Sequence, residues 1–257
     1  MKRDDRRQAI MDLLVDQRMV DLEDLADRFG VSKMTIHRDL DDLEEAGMLR
    51  KVRGGATIEA GNRFESDFRF RQQQEGDAKS RMAEAALELI EPGMTVMIND
   101  GSMASILGEM LVSKRPLTVI TNNAAIIDRL KAESGINLIA VGGTYSVKFN
   151  GYFGVVAEQA LARLSADVAF ISTPAISGSR VYHMDDDVIR AKRAMIASAS
   201  RKCLLVNHQR FNHTALHVFA DINEFELVIT DQEPPADARE VLTKANVPLR
   251  VASQESN

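Results

Sequence analysis

Residues 31–56 read VSKMTIHRDLDDLEEAGMLRKVRGGA, and this stretch predicts a helix-turn-helix that ends in a β-hairpin wing. Gly30 and Val31 form the turn. Ser32 is a typical N-cap, because its hydroxyl can accept a free backbone N–H at the start of the next helix. Apolar residues then recur at roughly helical spacing, namely Met34, Ile36, Leu40, Leu43 and Met48.

The wing is predicted from the residues that follow this helix. Gly47 ends the helix, and residues 48–52 are expected to form a strand. Gly54 and Gly55 suit a tight turn, after which residues 56–58 form the return strand.

The outer face of the helix and the wing carry polar and basic residues. A helix with short polar and basic groups near its amino end can enter the major groove of DNA, and bases on a wing can meet phosphates. The predicted DNA-binding residues are Ser32, Lys33, Thr35, His37, Arg38, Arg50, Lys51 and Arg53. The alternative is an ordinary pair of helices with a solvated charged face.

The order of residues favours DNA binding, because the stretch closely resembles the DeoR family of bacterial transcriptional regulators. The resemblance rests on Ser-x-x-Thr-Ile-His-Arg-Asp-Leu, on the Leu-x-x-Leu-Glu-Glu continuation and on the Arg-Gly-Gly-Ala wing. The family commonly has Arg where this chain has His37. That departure is expected to alter base preference or the pH dependence of binding.

Length and composition fit a soluble globular protein of one large or two unequal domains. The chain has 257 residues, of which 45% are hydrophobic and 27% charged. It has no apolar run of membrane-spanning length, and its start does not resemble a signal peptide. The single cysteine, Cys203, lies in an apolar run and is expected to be a buried strand residue. A cytoplasmic location follows, with no predicted cofactor or metal.

The net charge of −6 by itself argues against nucleic-acid binding, but the distribution of charges along the chain indicates a small local DNA footprint. Acidic residues cluster at 21–27 and 41–45, whereas basic residues cluster at the start of the recognition helix and on the wing. The acidic remainder should suppress indiscriminate binding.

The fold class is predicted as α/β, with a small winged domain followed by a larger open and mostly parallel sheet. The expected limits are 1–58 for the winged helix, 59–77 for a polar linker and 78–257 for the larger domain. Phe64, Phe68 and Phe70 are expected to dock the linker onto one domain. Predicted helices are 3–17, 22–28, 78–90, 102–112, 124–133, 155–164 and 188–200. Predicted strands of the larger domain are 95–98, 117–120, 137–141, 168–171, 203–206 and 227–229.

Polar residues follow the predicted strands, where an open α/β sheet places its ligand crevice. Hydroxyls, amides and glycine N–H groups there suit an anionic or polyhydroxyl ligand. Ser102 also begins a helix, whose amino end favours a phosphate or carboxylate. Each group alone is also explained as an ordinary turn or helix cap.

The resemblance extends to this larger domain, from about residue 3 to residue 231. It resembles the effector-sensing domain of DeoR-type repressors, which is related in fold to ribose-5-phosphate isomerases and in the family surrounds a phosphorylated sugar or related metabolite. The residues predicted to bind effector are Asp100, Gly101, Ser102, Thr121, Asn122, Gly143, Lys192, His208 and Arg210.

Two departures suggest an effector other than a simple sugar monophosphate. Met103-Ala104 stands where the family usually has Thr-Thr. Residues 207–211 read Asn-His-Gln-Arg-Phe, whereas the family has Asp-His-Ser-Lys-Phe, so that Arg210, a planar bidentate anion binder, replaces lysine.

These observations predict a ligand-responsive repressor of carbohydrate-metabolism genes. Its expected partners are double-stranded operator DNA, a phosphorylated or anionic sugar-like effector and further copies of the chain. An isomerase or deaminase is the main alternative, with Asp100, Asp185, Asp186 and Asp187 as available acids and Lys192 as an available cation. The isomerase motifs Asp-Gly-Ala-Asp-Glu and Lys-Gly-Gly-Gly are missing from this sequence, so no enzyme activity is expected. A DNA-architectural protein without a ligand is a second alternative, which the size of the larger domain disfavours.

Overall fold

A computed structural model describes residues 1–59 and 67–252 and divides the chain into two compact units. The first unit ends at Gln74 and the second begins at Glu75. In chain order the first unit contains α1 (Arg3–Gln17), β1 (Met19–Asp21), α2 (Leu22–Phe29), α3 (Lys33–Glu45), β2 (Arg50–Val52), β3 (Gly55–Thr57) and α4 (Phe68–Gln73). Its three strands form an antiparallel sheet in the order β1-β3-β2.

The predicted helix-turn-helix is confirmed, and its caps explain where the helices begin. The Asp21 carboxylate accepts the N–H groups of Glu23 and Asp24 at the start of α2. Gly30 ends α2 with a φ of +62°, a conformation that favours glycine. The Ser32 hydroxyl accepts the N–H of Thr35 at 3.2 Å, which satisfies one free donor at the start of α3.

The wing differs from the prediction in register. The turn lies at Arg53 and Gly54, not at Gly54 and Gly55, and Gly55 is already part of β3. A β-carbon on Gly55 would lie 1.9 Å from the Val20 carbonyl oxygen, so the close approach of β1 requires glycine there. Such a contact between distant segments is invisible to local pattern reading.

The second half of the segment 59–77, predicted as a polar linker docked by phenylalanines, contains a helix that the sequence analysis did not predict. Residues 68–73 form α4, and Phe70 joins the hydrophobic core of the first unit together with Ile10 and Leu14. Phe68 is also buried, whereas Phe64 lies outside the described residues. The next helix begins at Gly76, inside the predicted linker.

The second unit is built on a seven-stranded parallel sheet. Its helices are α5 (Gly76–Leu87), α6 (Ser102–Met110), α7 (Ala124–Leu130), α8 (Val155–Leu161), α9 (Asp186–Ala197) and α10 (Ala236–Lys244). Its strands are β4 (Thr95–Ile98), β5 (Leu117–Thr121), β6 (Ile136–Ala140), β7 (Thr144–Ser146), β8 (Gly151–Phe153), β9 (Ala166–Ser172), β10 (Ala175–Ser177), β11 (Arg180–His183), β12 (Ala199–Leu205), β13 (His217–Asp221), β14 (Leu227–Thr230) and β15 (Leu249–Val251). The main sheet has the order β15-β14-β12-β9-β4-β5-β6.

The six strands predicted for the larger domain are all members of this sheet, and every neighbouring pair is parallel. The first strand of the sheet in chain order is the interior strand β4; the chain then moves outward to β6 and returns to β9 on the other side of β4. Strand order therefore reverses beside β4, which is where open α/β sheets form their ligand crevice.

Several small elements were not predicted. The hairpin β7–β8 lies against the carboxyl end of β5, because the Tyr152 N–H donates to the Asn122 carbonyl at 2.9 Å. A three-stranded antiparallel sheet, β10-β11-β13, and the pair α10 and β15 were also missed. These missed strands mix polar and apolar residues over three to five positions, so they lack the continuous apolar run that marked the strands of the main sheet.

The interior of the second unit is apolar. The sheet separates two clusters of buried residues, one including Met97, Ile171 and Leu204 and the other Ile98, Phe170 and Leu205. Cys203 is buried in β12, as predicted, and burial raises the pKa of its thiol to about 12. Over the described part of the chain, no helix is long and apolar enough to cross a membrane.

Candidate DNA-binding surface and effector site

The outer face of α3 carries most of the predicted DNA-binding side chains. Ser32, Lys33, His37 and Arg38 are exposed, whereas Ile36 is fully buried on the opposite face. Thr35 is half-buried, and its hydroxyl lies 2.9 Å from that of Ser32. This division leaves the polar face free to meet DNA while the apolar face holds α3 in the first unit.

Met34 does not follow the apolar pattern in which it was grouped. Its side chain is 61% exposed, between Lys33 and Thr35 on the recognition face. Periodicity placed it near the core, but Ile36 is the residue of this turn that joins the core cluster.

The basic residues differ in how strongly they are engaged. Lys33 forms an ion pair with Glu23, which raises the lysine pKa through a side-chain hydrogen bond. Lys51 on the wing pairs with Asp41. The guanidinium groups of Arg38, Arg50 and Arg53 have no ion pair with any of residues 1–59 or 67–252, and all three side chains are exposed.

A buried ion pair fixes the recognition helix to α1. The Asp39 carboxylate accepts hydrogen bonds from Arg6, from Nε at 2.5 Å and from Nη2 at 3.2 Å. The Asp39 side chain is 2% exposed and that of Arg6 is 9% exposed. The motif Arg-Asp-Leu therefore supplies one outward arginine, Arg38, and one inward carboxylate that orients the helix.

In the second unit, a hydrogen-bonded network joins the carboxyl ends of β4 and β9 to Lys192 in α9. The Lys192 ammonium donates to the Ser172 carbonyl at 2.9 Å. The Ser172 N–H donates to the Asn99 side-chain oxygen at 2.9 Å, and the Asn99 amide donates to the Asp100 carboxylate at 3.2 Å. Lys192 and Asp100, predicted from distant parts of the sequence, are thus brought to one place.

Lys192 is a buried cation, with 2% of the residue exposed, and its ammonium lies 5.7 Å from the centre of the Phe219 ring. The ammonium adds a positive charge at this edge of the sheet, which favours an anion nearby. Lys192 is therefore placed to supply positive charge to the crevice.

Gly101 and Ser102 begin α6 beside this network. Gly101 has a φ of +107°, which glycine adopts readily. Asp21, Ser32, Asn123 and Asp185 each cap their own helices with a side chain, but among the described residues no side chain caps α6. Its first N–H groups are therefore available to an acceptor.

Thr121 and its neighbours have different tasks. The Thr121 hydroxyl donates to the Ile98 carbonyl at 2.7 Å and accepts the Asn123 N–H at 3.1 Å, so it ties β5 to β4. The Asn122 amide donates to the Tyr152 carbonyl at 3.0 Å, while its side-chain oxygen is buried with no partner in the described chain. A buried acceptor without a donor is a site where a ligand hydroxyl gains a hydrogen bond.

Gly143 is required by backbone geometry. Its φ is +141°, and a β-carbon there would lie 2.4 Å from the Phe153 carbonyl oxygen. Gly143 thus permits β8 to pack closely after β6, whereas nothing lies within 4 Å of a β-carbon on Gly142.

His208 and Arg210 lie after β12, farther along the same edge of the sheet. His208 Nδ1 lies 2.8 Å from the buried Asp231 carboxylate, which also accepts the His208 N–H at 2.7 Å. The imidazole is thereby oriented, with its Nε2 edge left for another partner. The Arg210 guanidinium is half-exposed and forms no ion pair with the residues that the structure describes.

Three contributors were missed as site residues. Asn99, Ser172 and Asp231 follow predicted strands, but only their partners identify them as the groups that orient Asp100, Lys192 and His208. Their position directly after an apolar run was the available signal, and it is shared with ordinary caps.

The acidic run 185–187 is structural. Asp185 caps α9 through the Val188 N–H, and Asp186 and Asp187 pair with Arg190. No group of three metal-ligating side chains is found in residues 1–59 and 67–252.

The fold and the exposed recognition face define the chain as a winged-helix DNA-binding protein with a second α/β unit. Comparison with family models is more specific, since residues 6–60 match the DeoR-like helix-turn-helix domain and residues 74–232 match the DeoR C-terminal sensor domain. The chain belongs to the DeoR family of transcriptional regulators.

Relatives match along nearly the whole chain. The helix-turn-helix transcriptional regulator YgbI of Escherichia coli K12 is 31% identical over 98% of each chain. The glycerol-3-phosphate regulon repressor of the same organism is 27% identical over 98% of this chain and 100% of its own. Among solved structures, ribose 5-phosphate isomerase A from Methanocaldococcus jannaschii has a TM-score of 0.41 and 14% identity, covering 54% of this chain and 55% of that one.

Proposed function

We propose that this regulator represses carbohydrate-metabolism genes and that a phosphorylated or otherwise anionic sugar-like metabolite controls its affinity for operator DNA. The glycerol-3-phosphate regulon repressor, a relative over nearly the full length, supports a phosphorylated effector. The regulator acts in the cytoplasm, where operator DNA is found in bacteria.

One observation carries the effector proposal: the buried Lys192 ammonium and the uncapped amino end of α6 are joined through Ser172, Asn99 and Asp100. A cation and free N–H groups stabilise an anion. The Asp100 carboxylate can accept hydrogen bonds from sugar hydroxyls. Together they suit a ligand with one anionic end and a polyhydroxyl body.

The predicted residues divide into two roles. Asp100, Ser102, Asn122, Lys192, His208 and Arg210 supply polar groups for the ligand. Gly101, Thr121 and Gly143 shape the crevice, since their geometry or hydroxyl is already used by the fold.

Arg210 favours an effector with a second anionic edge. A guanidinium binds a carboxylate or phosphate through two parallel hydrogen bonds, whereas a lysine acts as a point charge. Arg210→Lys should therefore weaken effector binding about 10–150-fold, because the loss of one charged hydrogen bond costs about 1.5–3 kcal/mol.

The effector is found by thermal shift with sugar phosphates, sugar acids and polyol phosphates, since a ligand that binds the folded state stabilises it. Calorimetry on the hits then compares wild type, Lys192→Ala, Arg210→Lys and the control Arg163→Ala, which changes an exposed residue in the turn after α8. If Lys192→Ala and Arg210→Lys both bind the effector with wild-type affinity, the proposed effector site is contradicted.

For DNA, we propose that Arg38 contacts a base edge, with Ser32, Lys33, Thr35 and His37 beside it. Arg50, Lys51 and Arg53 on the wing contact phosphates. Arg38→Ala should cost about 1–3 kcal/mol of operator affinity and relax specificity. Arg53→Ala should weaken binding evenly and flatten the dependence on salt.

These DNA variants are measured by anisotropy against operators selected from genomic DNA, with Arg163→Ala again as control. Affinity unchanged in both variants contradicts the assignment, as does a selection that enriches no sequence.

We further propose that the protein is a homo-oligomer that binds repeated or inverted half-sites. A single winged helix buries little surface, so useful specificity calls for two modules. We expect the ligand to be sensed without turnover, because the isomerase motifs are missing from the sequence and the acids at 185–187 serve as a helix cap and as partners of Arg190.

A further inference from the structure

β6 is the last strand on one edge of the seven-stranded sheet, and its hydrogen-bonding groups alternate in direction. The Leu117 N–H donates to the Gly135 carbonyl at 3.0 Å, and the Val141 N–H donates to the Thr121 carbonyl at 2.8 Å. The backbone N–H and C=O groups of the odd-numbered residues of β6 therefore point toward β5. The N–H and C=O groups of Leu138 and Ala140, with the C=O of Ile136, point away from the sheet.

These outward groups have no hydrogen-bond partner in the parts of the chain that are described, 1–59 and 67–252. The strand reads Ile-Asn-Leu-Ile-Ala, without a charged residue or proline. Natural sheets use charges, prolines, bulges and short strands to prevent edge-to-edge pairing. β6 uses none of these.

The opposite edge strand is different. β15 has three residues, and its middle residue is Arg250, whose Nη1 donates to the Ala85 carbonyl at 3.0 Å. The sheet thus has one short edge that carries a charge and one five-residue edge that is open and uncharged.

We propose that a second copy of this chain covers β6 by antiparallel pairing about a two-fold axis at Leu138. Because both backbone groups of Leu138 point outward, the two copies of Leu138 can exchange hydrogen bonds with each other. The Ala140 N–H of each copy then meets the Ile136 carbonyl of the other. The two seven-stranded sheets become one continuous sheet.

The side chains are compatible with such a self-pair. Leu138 is half-buried and would pack against Leu138 of the second copy, with Ile136 opposite the small Ala140. The charges beside the edge are paired within each copy, Arg129 with Glu133 and Lys131 with Asp128. Two copies of α7 brought together across the axis therefore do not repel each other by net charge.

The occupant is identified as a second copy because an uncharged edge offers a foreign partner little side-chain specificity, whereas symmetry makes every outward bond reciprocal. This inference rests on the proposed homo-oligomer and names its surface. Wild-type protein that is monomeric refutes the oligomer itself. An oligomer that ignores β6 refutes only the surface.

The test compares full-length Leu138→Lys and Leu138→Glu by sedimentation and light scattering. Each variant alone places like charges at the axis and should lower the molar mass at least twofold relative to wild type. An equimolar mixture should restore the mass, because Lys then faces Glu. Val218→Lys, which charges an exposed apolar site on β13, should leave the mass unchanged.

Hydrogen exchange on wild-type protein decides the matter if the variants fold poorly. The Leu138 and Ala140 amides should exchange slowly at high concentration and at least tenfold faster on dilution into monomer. Fast exchange at all concentrations, or wild-type mass in both charge variants, overturns the proposal.

Discussion

The recognition surface and the effector crevice use polar residues in opposite ways. On α3 and the wing, Arg38, Arg50 and Arg53 are exposed, and none forms an ion pair within the described chain. In the crevice, Asn99, Asp100, Thr121 and Lys192 are buried and hydrogen-bonded to neighbouring strand ends.

The contrast shows what each surface must do. A DNA-binding surface gains most of its affinity from exposed basic side chains that bind phosphates. Such side chains need few contacts with the rest of the protein. A ligand crevice needs polar groups held in fixed positions. Some of its polar side chains therefore serve to orient the others and do not contact the ligand. Substitutions should therefore separate function from stability on α3 and combine them in the crevice.

Asp39→Ala is expected to have the largest effect. Unlike substitutions on the exposed face of α3, it should lower the stability of the first unit as well as DNA binding. It leaves the buried Arg6 guanidinium without its carboxylate partner. Unfolding of the first unit in urea should become easier by about 3–5 kcal/mol, and operator binding should be lost with it.

Asp42→Ala is the matched control for that variant. Asp42 pairs with Arg3 and Arg7 near the surface, and its side chain is 34% exposed. Its loss should cost no more than about 1 kcal/mol. Equal destabilisation by the two variants would show that burial of Asp39 is not what holds α1 to α3.

Gly143→Ala sharpens the comparison from the crevice side. An alanine at this positive φ would be strained, and its β-carbon would clash with the Phe153 carbonyl oxygen. The substitution should therefore destabilise the second unit by about 1–3 kcal/mol. Gly142→Ala, in open space one residue earlier, should change the free energy of unfolding by less than about 0.5 kcal/mol. Thermal denaturation compares the pair, and identical melting curves would contradict the close packing of β8 on Gly143.

Thr121→Val has the smallest expected effect and tests whether this hydroxyl serves the fold or the ligand. Loss of the bond to the Ile98 carbonyl should cost about 1 kcal/mol of stability. Thr121→Ser retains the hydroxyl and should restore most of that loss, with effector affinity near wild type in both. A tenfold loss of effector affinity in the valine variant at unchanged stability would instead make Thr121 a ligand contact.

Much of the fold could be predicted from local pattern. The main-sheet strands β4, β5, β6, β9, β12 and β14 were recognised as apolar runs between helices, which covered strands of a parallel sheet produce, although β6 at the edge is only half-buried. β15 was missed because it has three residues and carries Arg250 at its centre. The wing register was misjudged because Gly55 is needed for its approach to Val20, a contact that local sequence does not encode.

The position of the candidate site could be predicted from the sequence. Which of its residues bind the ligand and which hold the others in place could not. The sequence analysis identified the polar residues that follow the strands. However, Thr121, which was predicted to bind the effector, donates its hydroxyl to β4. Asp231, which was not predicted as a site residue, orients His208. Likewise the motif that supplies Arg38 also supplies Asp39, whose partner Arg6 lies 33 residues away. Which neighbour a polar group meets depends on tertiary contacts.

The most direct test of the central claim is the operator dissociation constant measured without and with the effector found by thermal shift. Fluorescence anisotropy of full-length protein on its selected operator should show a change of about 5–150-fold at saturation, which corresponds to a coupling of about 1–3 kcal/mol. The same ligand should leave the constant unchanged in a variant whose calorimetric binding is abolished. An unchanged constant in wild-type protein, at ligand concentrations where calorimetry shows the crevice to be full, would contradict an effector-controlled regulator.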